Sequence, residues 1–426
     1  MNESIIRTPA LIALRGDRIA GPAGNDKAPV PGSGTSVSAT DPPTRVSDPP
    51  TRVSDPPTRV SDPPTDVIFR FDEPGRLIIP GFVDPHTHFL FGGDRSREFA
   101  LRLSGKSYQE IAAAGGGIRS TVKATRGATD EELATALVRH LDRALLDGTT
   151  TVEVKVSYGL DIDEDLRGLR IVDEVSRRHP VRIVPTWMGA HEFPDEYRHD
   201  HEGWVTRLCE GTREIAAQGI AKFCDVFCEE GLFTPEQSRR ILEAAATAGL
   251  KLKIHADEFG PSGGSEVAIA LRTTSADHLH CLPLESIPRL KEAGVVPVAL
   301  PGTSFFLRLP TQAPVRQMID QGLPVAIATD GNPGSNMTES MPMMMTLACL
   351  QYGITPTEAL EAATTNAARA LGLQNDVGRL DSGFYADFQI LEVPGIDYLA
   401  YHYGRSHVRS VYIGGKKVVE DGRVLR

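Results

Sequence analysis

The chain has 426 residues, 40% of them hydrophobic and 24% charged, with a formal net charge of −11. That length and composition allow a large buried core and exclude a fibrous or wholly disordered protein. The acidic balance gives no broad positive field, which argues against nucleic acid and anionic membrane surfaces as partners.

No apolar run approaches the ~20 residues that span a bilayer. Met1-Asn2-Glu3-Ser4 lacks a basic-then-apolar signal, so a cytoplasmic protein is expected. Cys209, Cys224, Cys228, Cys281 and Cys349 have neither zinc-ribbon nor disulfide spacing and read as reduced thiols.

Short strands are expected over residues 11–19 and 67–79. Between them Asp41-Pro-Pro-Thr-Arg-Val-Ser47 recurs from Asp48 and Asp55 and begins again at Asp62. Two prolines per unit remove backbone donors and block helix, so the Pro-rich stretch at about 21–65 is expected to be a disordered insert. From residue 81 the pattern becomes short apolar runs, each followed by a helical stretch: 82–88, 149–156, 183–190, 222–228, 252–256, 276–280, 296–300 and 325–329. Eight such units predict an α/β fold, a TIM (β/α)8 barrel over residues 81–376 with catalytic residues at the carboxyl ends of its strands. A helix is expected over 355–371, then strands over 377–380, 386–391, 408–413 and 416–419. With residues 1–80, this tail (377–426) should form a small composite β-sandwich from both chain termini.

His86-Thr-His88 closes the first run, and strand alternation sends both imidazoles to one face. His255 ends the fifth run and Asp330 the eighth, so His86, His88, His255 and Asp330 are expected to converge at one barrel mouth. Three imidazoles and a carboxylate suit zinc or iron better than magnesium or calcium. With a water completing the shell the site would be catalytic. Glu258, His278 and Asp330 can divide the remaining work: proton delivery, oxyanion support and proton acceptance. Lys222 lies at the start of the fourth run, away from the catalytic rim, so one metal ion is expected. Lys155 reads as a salt-bridge partner of Glu153 or Asp161, and His280 as structural.

Several stretches carry a resemblance: Pro80-Gly-Phe-Val-Asp-Pro-His-Thr-His-Phe, Phe91-Gly-Gly-Asp-Arg95, Gly115-Gly-Gly-Ile, Gly189-Ala-His-Glu192, Ile254-His-Ala-Asp-Glu258 and Thr329-Asp-Gly-Asn-Pro-Gly334. On these the chain resembles the imidazolonepropionase family of the amidohydrolase superfamily, over nearly its whole length apart from the Pro-rich insert. The resemblance implies hydrolysis of the cyclic amide of 4-imidazolone-5-propanoate to N-formimidoyl-L-glutamate by a metal-activated water, in histidine degradation. It implies one Zn2+ or Fe3+ per subunit on His86, His88, His255 and Asp330, a small-molecule substrate and a homodimer. It places substrate contacts on Arg95, Tyr158, His191, Glu258, His278, Asn332, Gly334 and Ser335. Two departures stand out. Lys155-Val-Ser-Tyr-Gly-Leu160 replaces the family's usual Lys-Ser-Gly-Tyr-Gly-Leu, and Ser335 stands where Thr is common.

Two other readings compete. A mononuclear deaminase of a nucleobase or related heterocycle would share the ligand set, but would have no carboxylate tail for Arg95 and Tyr158 to hold. A non-catalytic scaffold of the same fold would typically lack the ligands, and all four are present here.

Overall fold

The computed structural model describes residues 6–7, 10–20, 36–38, 66–71, 76–106 and 116–426. Eight parallel strands follow one another in sequence order: Phe82–Asp84, Thr149–Val156, Arg182–Ala190, Phe223–Cys228, Lys251–Ala256, Ser275–His278, Val296–Ala299 and Ala326–Ile327. The first and last meet through a parallel bridge between Thr87 and Gly331. There the amide of Asp330 donates to the carbonyl of His86, and that of His88 to Gly331. The sheet therefore closes, as expected, into a TIM barrel. Gly331 is required at the seam, because a Cβ there would lie 2.1 Å from the Phe89 ring.

Intervening helices begin where the sequence supplies caps. Thr129 with Glu132 and Thr234 with Gln237 form capping boxes, and the Asp161 carboxylate accepts from the amides of Asp163 and Glu164. Apolar helix faces then pack on the strands, with Leu137, Leu141, Val172, Leu208 and Ile241 fully buried.

Both termini build the second domain. A six-stranded sheet orders Ile6–Arg7, Leu77–Pro80, Phe388–Leu391, Val408–Ile413, Lys416–Glu420 and Arg423–Val424. A four-stranded sheet orders Arg18–Ile19, Ala10–Arg15, Asp66–Phe71 and Ser36–Ser38. Ile12, Leu14, Ile19, Ile78, Leu380, Ala386, Phe388, Ile390 and Tyr412 form the core they share. Arg182 at the start of the third barrel strand ties this domain to the barrel, with Nε 2.7 Å from Asp387 Oδ2 and its guanidinium over Tyr385. Ser36–Ser38 falls within the stretch read as a disordered insert, yet it pairs in parallel with Asp66–Phe71. The Asp-Pro-Pro-Thr-Arg-Val-Ser repeats lie outside the described residues.

Two expected elements differ. The helix expected over 355–371 is two helices, Pro356–Ala362 and Thr365–Ala370. Between them the Ala363 carbonyl accepts from the Val83 amide, and the Thr364 hydroxyl donates to the Leu360 carbonyl. Docking on the first barrel strand thus takes a carbonyl that a continuous helix would use. Residues 377–379 are bends rather than a strand, and there Gly378 (φ +83°) passes close to the Thr364 carbonyl. All five cysteines are free thiols, with Cys224 and Cys228 buried. Among the described residues no helix is long and apolar enough to cross a membrane.

Candidate metal centre and active site

The barrel places His86, His88, His255 and Asp330 together at the carboxyl ends of its strands, all buried. Nitrogen atoms of the three imidazoles lie within 4.8 Å of one another, and His86, His278 and Asp330 meet the same limit. Asp330 Oδ1 is 3.4 Å from His86 Nε2 and 3.5 Å from His88 Nε2. Ligands bonded at ~2.1 Å to one tetrahedral ion would be about 3.4 Å apart, so this spacing fits a shared cation.

Each ring is held from behind. His86 Nδ1 is 2.6 Å from Asp277 Oδ2, His88 Nδ1 is 2.8 Å from the Ser157 hydroxyl, and His255 Nδ1 is 3.1 Å from Asp225 Oδ1. Carboxylates accept from Nδ1–H, which leaves the Nε2 lone pairs of His86 and His255 facing inward. Those two Nε2 atoms are buried without a hydrogen-bond partner among the described residues, as expected of ligands aimed at an ion. Burial holds the pKa of His86 and of His88 well below the ordinary imidazole value, favouring the neutral, metal-binding form. Asp330 Oδ2 is fixed by the hydroxyls of Thr303 (2.6 Å) and Ser335 (3.0 Å), leaving Oδ1 toward the histidines.

Asp330 (φ +53°) and His278 (φ +74°) adopt left-handed backbone at the strand ends. Such strain in non-glycine residues concentrates at functional sites. His278 Nδ1 is 3.4 Å from Glu258 Oε2. Burial, reinforced by the negative charges of Asp330 and Glu229, pushes the Glu258 carboxyl well above its ordinary range, favouring its protonated form. The Glu229 carboxylate, at the end of the fourth strand, accepts from the amides of Glu258 and Phe259 and so orients that loop.

The residues expected to touch substrate gather at the same mouth with different degrees of freedom. Arg95 directs Nε and Nη2 to Glu98 and places Nη1 where a side chain on Gly334 would collide with it. Tyr158 is buried beside His191 and His88, its phenol raised in pKa by burial and by Asp330. His191 stacks on His88, with Nδ1 3.0 Å from the Ser157 carbonyl, and burial lowers its pKa to about 4. Asn332 organises its own loop: Oδ1 accepts from the amides of Gly334 and Ser335, and Nδ2 donates to the Asp330 carbonyl and the Ser335 hydroxyl.

The supporting residues Asp225, Asp277, Ser157 and Thr303 were not anticipated. For the strand residues the signal was parity, since Glu153 and Lys155 continue to Ser157 and Ser275 continues to Asp277 at every second position, whereas Thr303 lies on the helix Pro301–Leu307 and gave no such signal. Lys155 does meet Glu153 (2.9 Å), whereas Asp161 caps a helix instead. Ser157, at a position where the chain departs from the resembled family, is the partner of His88.

A closed barrel with three histidines and an aspartate at its mouth is the architecture of metal-dependent hydrolases, and residues 77–418 match the amidohydrolase family. Imidazolonepropionase of Geobacillus kaustophilus is 48% identical over 354 residues, 83% of each chain, and that of Symbiobacterium thermophilum is 49% identical over 357 residues, 83% of this chain and 84% of the relative. The solved N-isopropylammelide isopropylaminohydrolase of Burkholderia multivorans shares the fold, with TM-score 0.66 and 20% identity over 97% of this chain and 95% of the other. The chain belongs to the amidohydrolase family and, within it, to the imidazolonepropionases.

Proposed function

We propose that this protein hydrolyses 4-imidazolone-5-propanoate to N-formimidoyl-L-glutamate, with one Zn2+ or Fe3+ held by His86, His88, His255 and Asp330. One observation carries the reading. A chain 48% identical to imidazolonepropionases over 83% of its length brings that ligand set, a buried carboxylic acid and an arginine to one barrel mouth. When bound, such an ion polarises a carbonyl and lowers the pKa of a water.

The chain's own residues supply the rest. Asp330, held in place by the hydroxyls of Thr303 and Ser335, accepts a proton from the attacking water. His278 hydrogen-bonds the oxyanion developing on the ring carbonyl. Glu258, whose protonated form is favoured by burial, delivers its proton to the ring nitrogen as the carbon–nitrogen bond breaks. Arg95 and Tyr158 hold the propanoate, and His191 meets a polar atom of the ring. Asn332 shapes the Gly334–Ser335 turn against which the substrate rests.

Metal analysis of the purified protein, run beside turnover of imidazolonepropanoate and of a panel of heterocyclic amines, tests this. Ring opening by a protein carrying about one zinc or iron is expected; ammonia release from the amines without ring opening would favour the deaminase. The homodimer and cytoplasmic location implied by the resemblance are checked by sedimentation equilibrium and cell fractionation.

A further inference from the structure

Beneath the histidines lie five charged side chains with no solvent exposure: Glu153, Lys155, Asp225, Lys253 and Asp277. Lys155 Nζ is 2.5 Å from Asp225 Oδ2, 2.9 Å from Glu153 Oε2 and 3.7 Å from Asp277 Oδ2. Asp225 in turn faces His255 Nδ1, and Asp277 faces His86 Nδ1. One ammonium therefore touches both carboxylates that aim these two imidazoles. Lys253 donates to the Pro85 carbonyl and to Glu153 and also lies 3.7 Å from Asp277 Oδ2, but among the described residues it makes no ion pair with Asp225, so only Lys155 faces both aspartates.

We propose that Lys155 is a positioning residue that couples His86 and His255 through Asp277 and Asp225, setting the two imidazoles as one unit for the metal ion. The inference rests on the metal-centre reading above. Its physical basis is cost. Moving an ammonium out of water costs several kcal/mol, and an apolar residue of similar volume usually serves stability as well or better. A buried lysine at this point is accounted for by what it orients. Both aspartates must remain acceptors for Nδ1–H if Nε2 is to face inward, and Lys155 is the cation shared by the two.

The test compares Zn2+ affinity, by chelator competition, in wild type, His86→Ala, Asp225→Asn and the double variant Lys155→Met/Asp225→Asn. Wild type buries three carboxylates and two ammoniums in this layer, and the double variant two and one, the same excess of one negative charge. It should fold even if Lys155→Met alone does not. Asp225→Asn should weaken Zn2+ binding by about 10- to 100-fold, as loss of such a supporting partner typically does. The double variant should weaken it about a further 10-fold, because Asp277 then keeps only Lys253 of its two cations, the link to Asp225 is gone, and His86 is aimed less firmly. In the metal-saturated enzyme kcat should fall while KM stays near wild type. If the double variant binds Zn2+ as tightly as Asp225→Asn, Lys155 is only a counter-charge and the inference is overturned. Zn2+ retained in full by His86→Ala would remove the metal-centre reading, and this inference with it.

Discussion

Between the terminal sheets Ile12, Leu14, Ile78, Phe388 and Tyr412 pack into an apolar core. Beneath His86 and His255, in contrast, the barrel interior holds Glu153, Lys155, Asp225, Lys253 and Asp277. The two regions answer different requirements. An apolar core accepts swaps of similar volume at less than ~1.5 kcal/mol, since contact area is non-directional. A charged interior does not, because removing one partner strands a buried charge at about 3–5 kcal/mol. Directionality is what the barrel interior gains: each imidazole points one nitrogen at an outer acceptor and the other at the axis. The terminal core contributes non-directional contact area, and the charged interior sets the aim of the ligands.

The largest expected effect is at the mouth. His86→Ala, His88→Ala, His255→Ala or Asp330→Ala should each empty the metal centre and abolish turnover, since one of four donors is lost. Metal content and activity assayed on the same preparation decide it, and full occupancy with normal turnover in any one variant would refute that ligand. Glu258→Gln should keep the metal and lower kcat by ~10²–10⁴-fold, the range for general acid–base groups. A rate near wild type would reassign the proton donor. Arg95→Met should act mainly on KM, raising it about 10- to 100-fold if a charged hydrogen bond worth ~1.5–3 kcal/mol is lost. Unchanged KM would move the propanoate elsewhere.

In the apolar core the pattern should invert. Phe388→Ala, at a fully buried ring stacked on Tyr412, should cost about 3–5 kcal/mol in denaturant unfolding while leaving kcat unchanged under native conditions. A kcat that fell in step would mean that the terminal domain controls the mouth. The smallest effect is expected outside both cores: deleting residues 41–64, a Pro-dense repeat with no apolar face, should barely alter activity or melting temperature. Aggregation of the deletion variant would show that the repeat contributes to the fold.

How far the sequence reached follows from what is local. Eight apolar runs mark the barrel strands, because β-branched residues in short buried stretches identify themselves within a few positions. His86 and His88 share a face because strand side chains repeat every two residues. His255 and Asp330 end their strands, and strand ends in a barrel share one rim. The sequence by itself therefore determined the barrel, its four candidate ligands and the pairing of both termini in one β-domain. Only tertiary structure decided which charges meet. Asp277 reaches His86 across 191 positions of sequence and Lys155 reaches Asp225 across 70, contacts set by barrel closure and register that no local pattern encodes. The same reason explains the helix expected over 355–371: its composition is continuous, but the Val83 amide, far away in sequence, takes the Ala363 carbonyl and divides it. Asn332 too was legible as a loop residue beside Asp330, while its role in closing the Gly334–Ser335 turn depended on backbone geometry that appears only once the eighth strand is seated against the first.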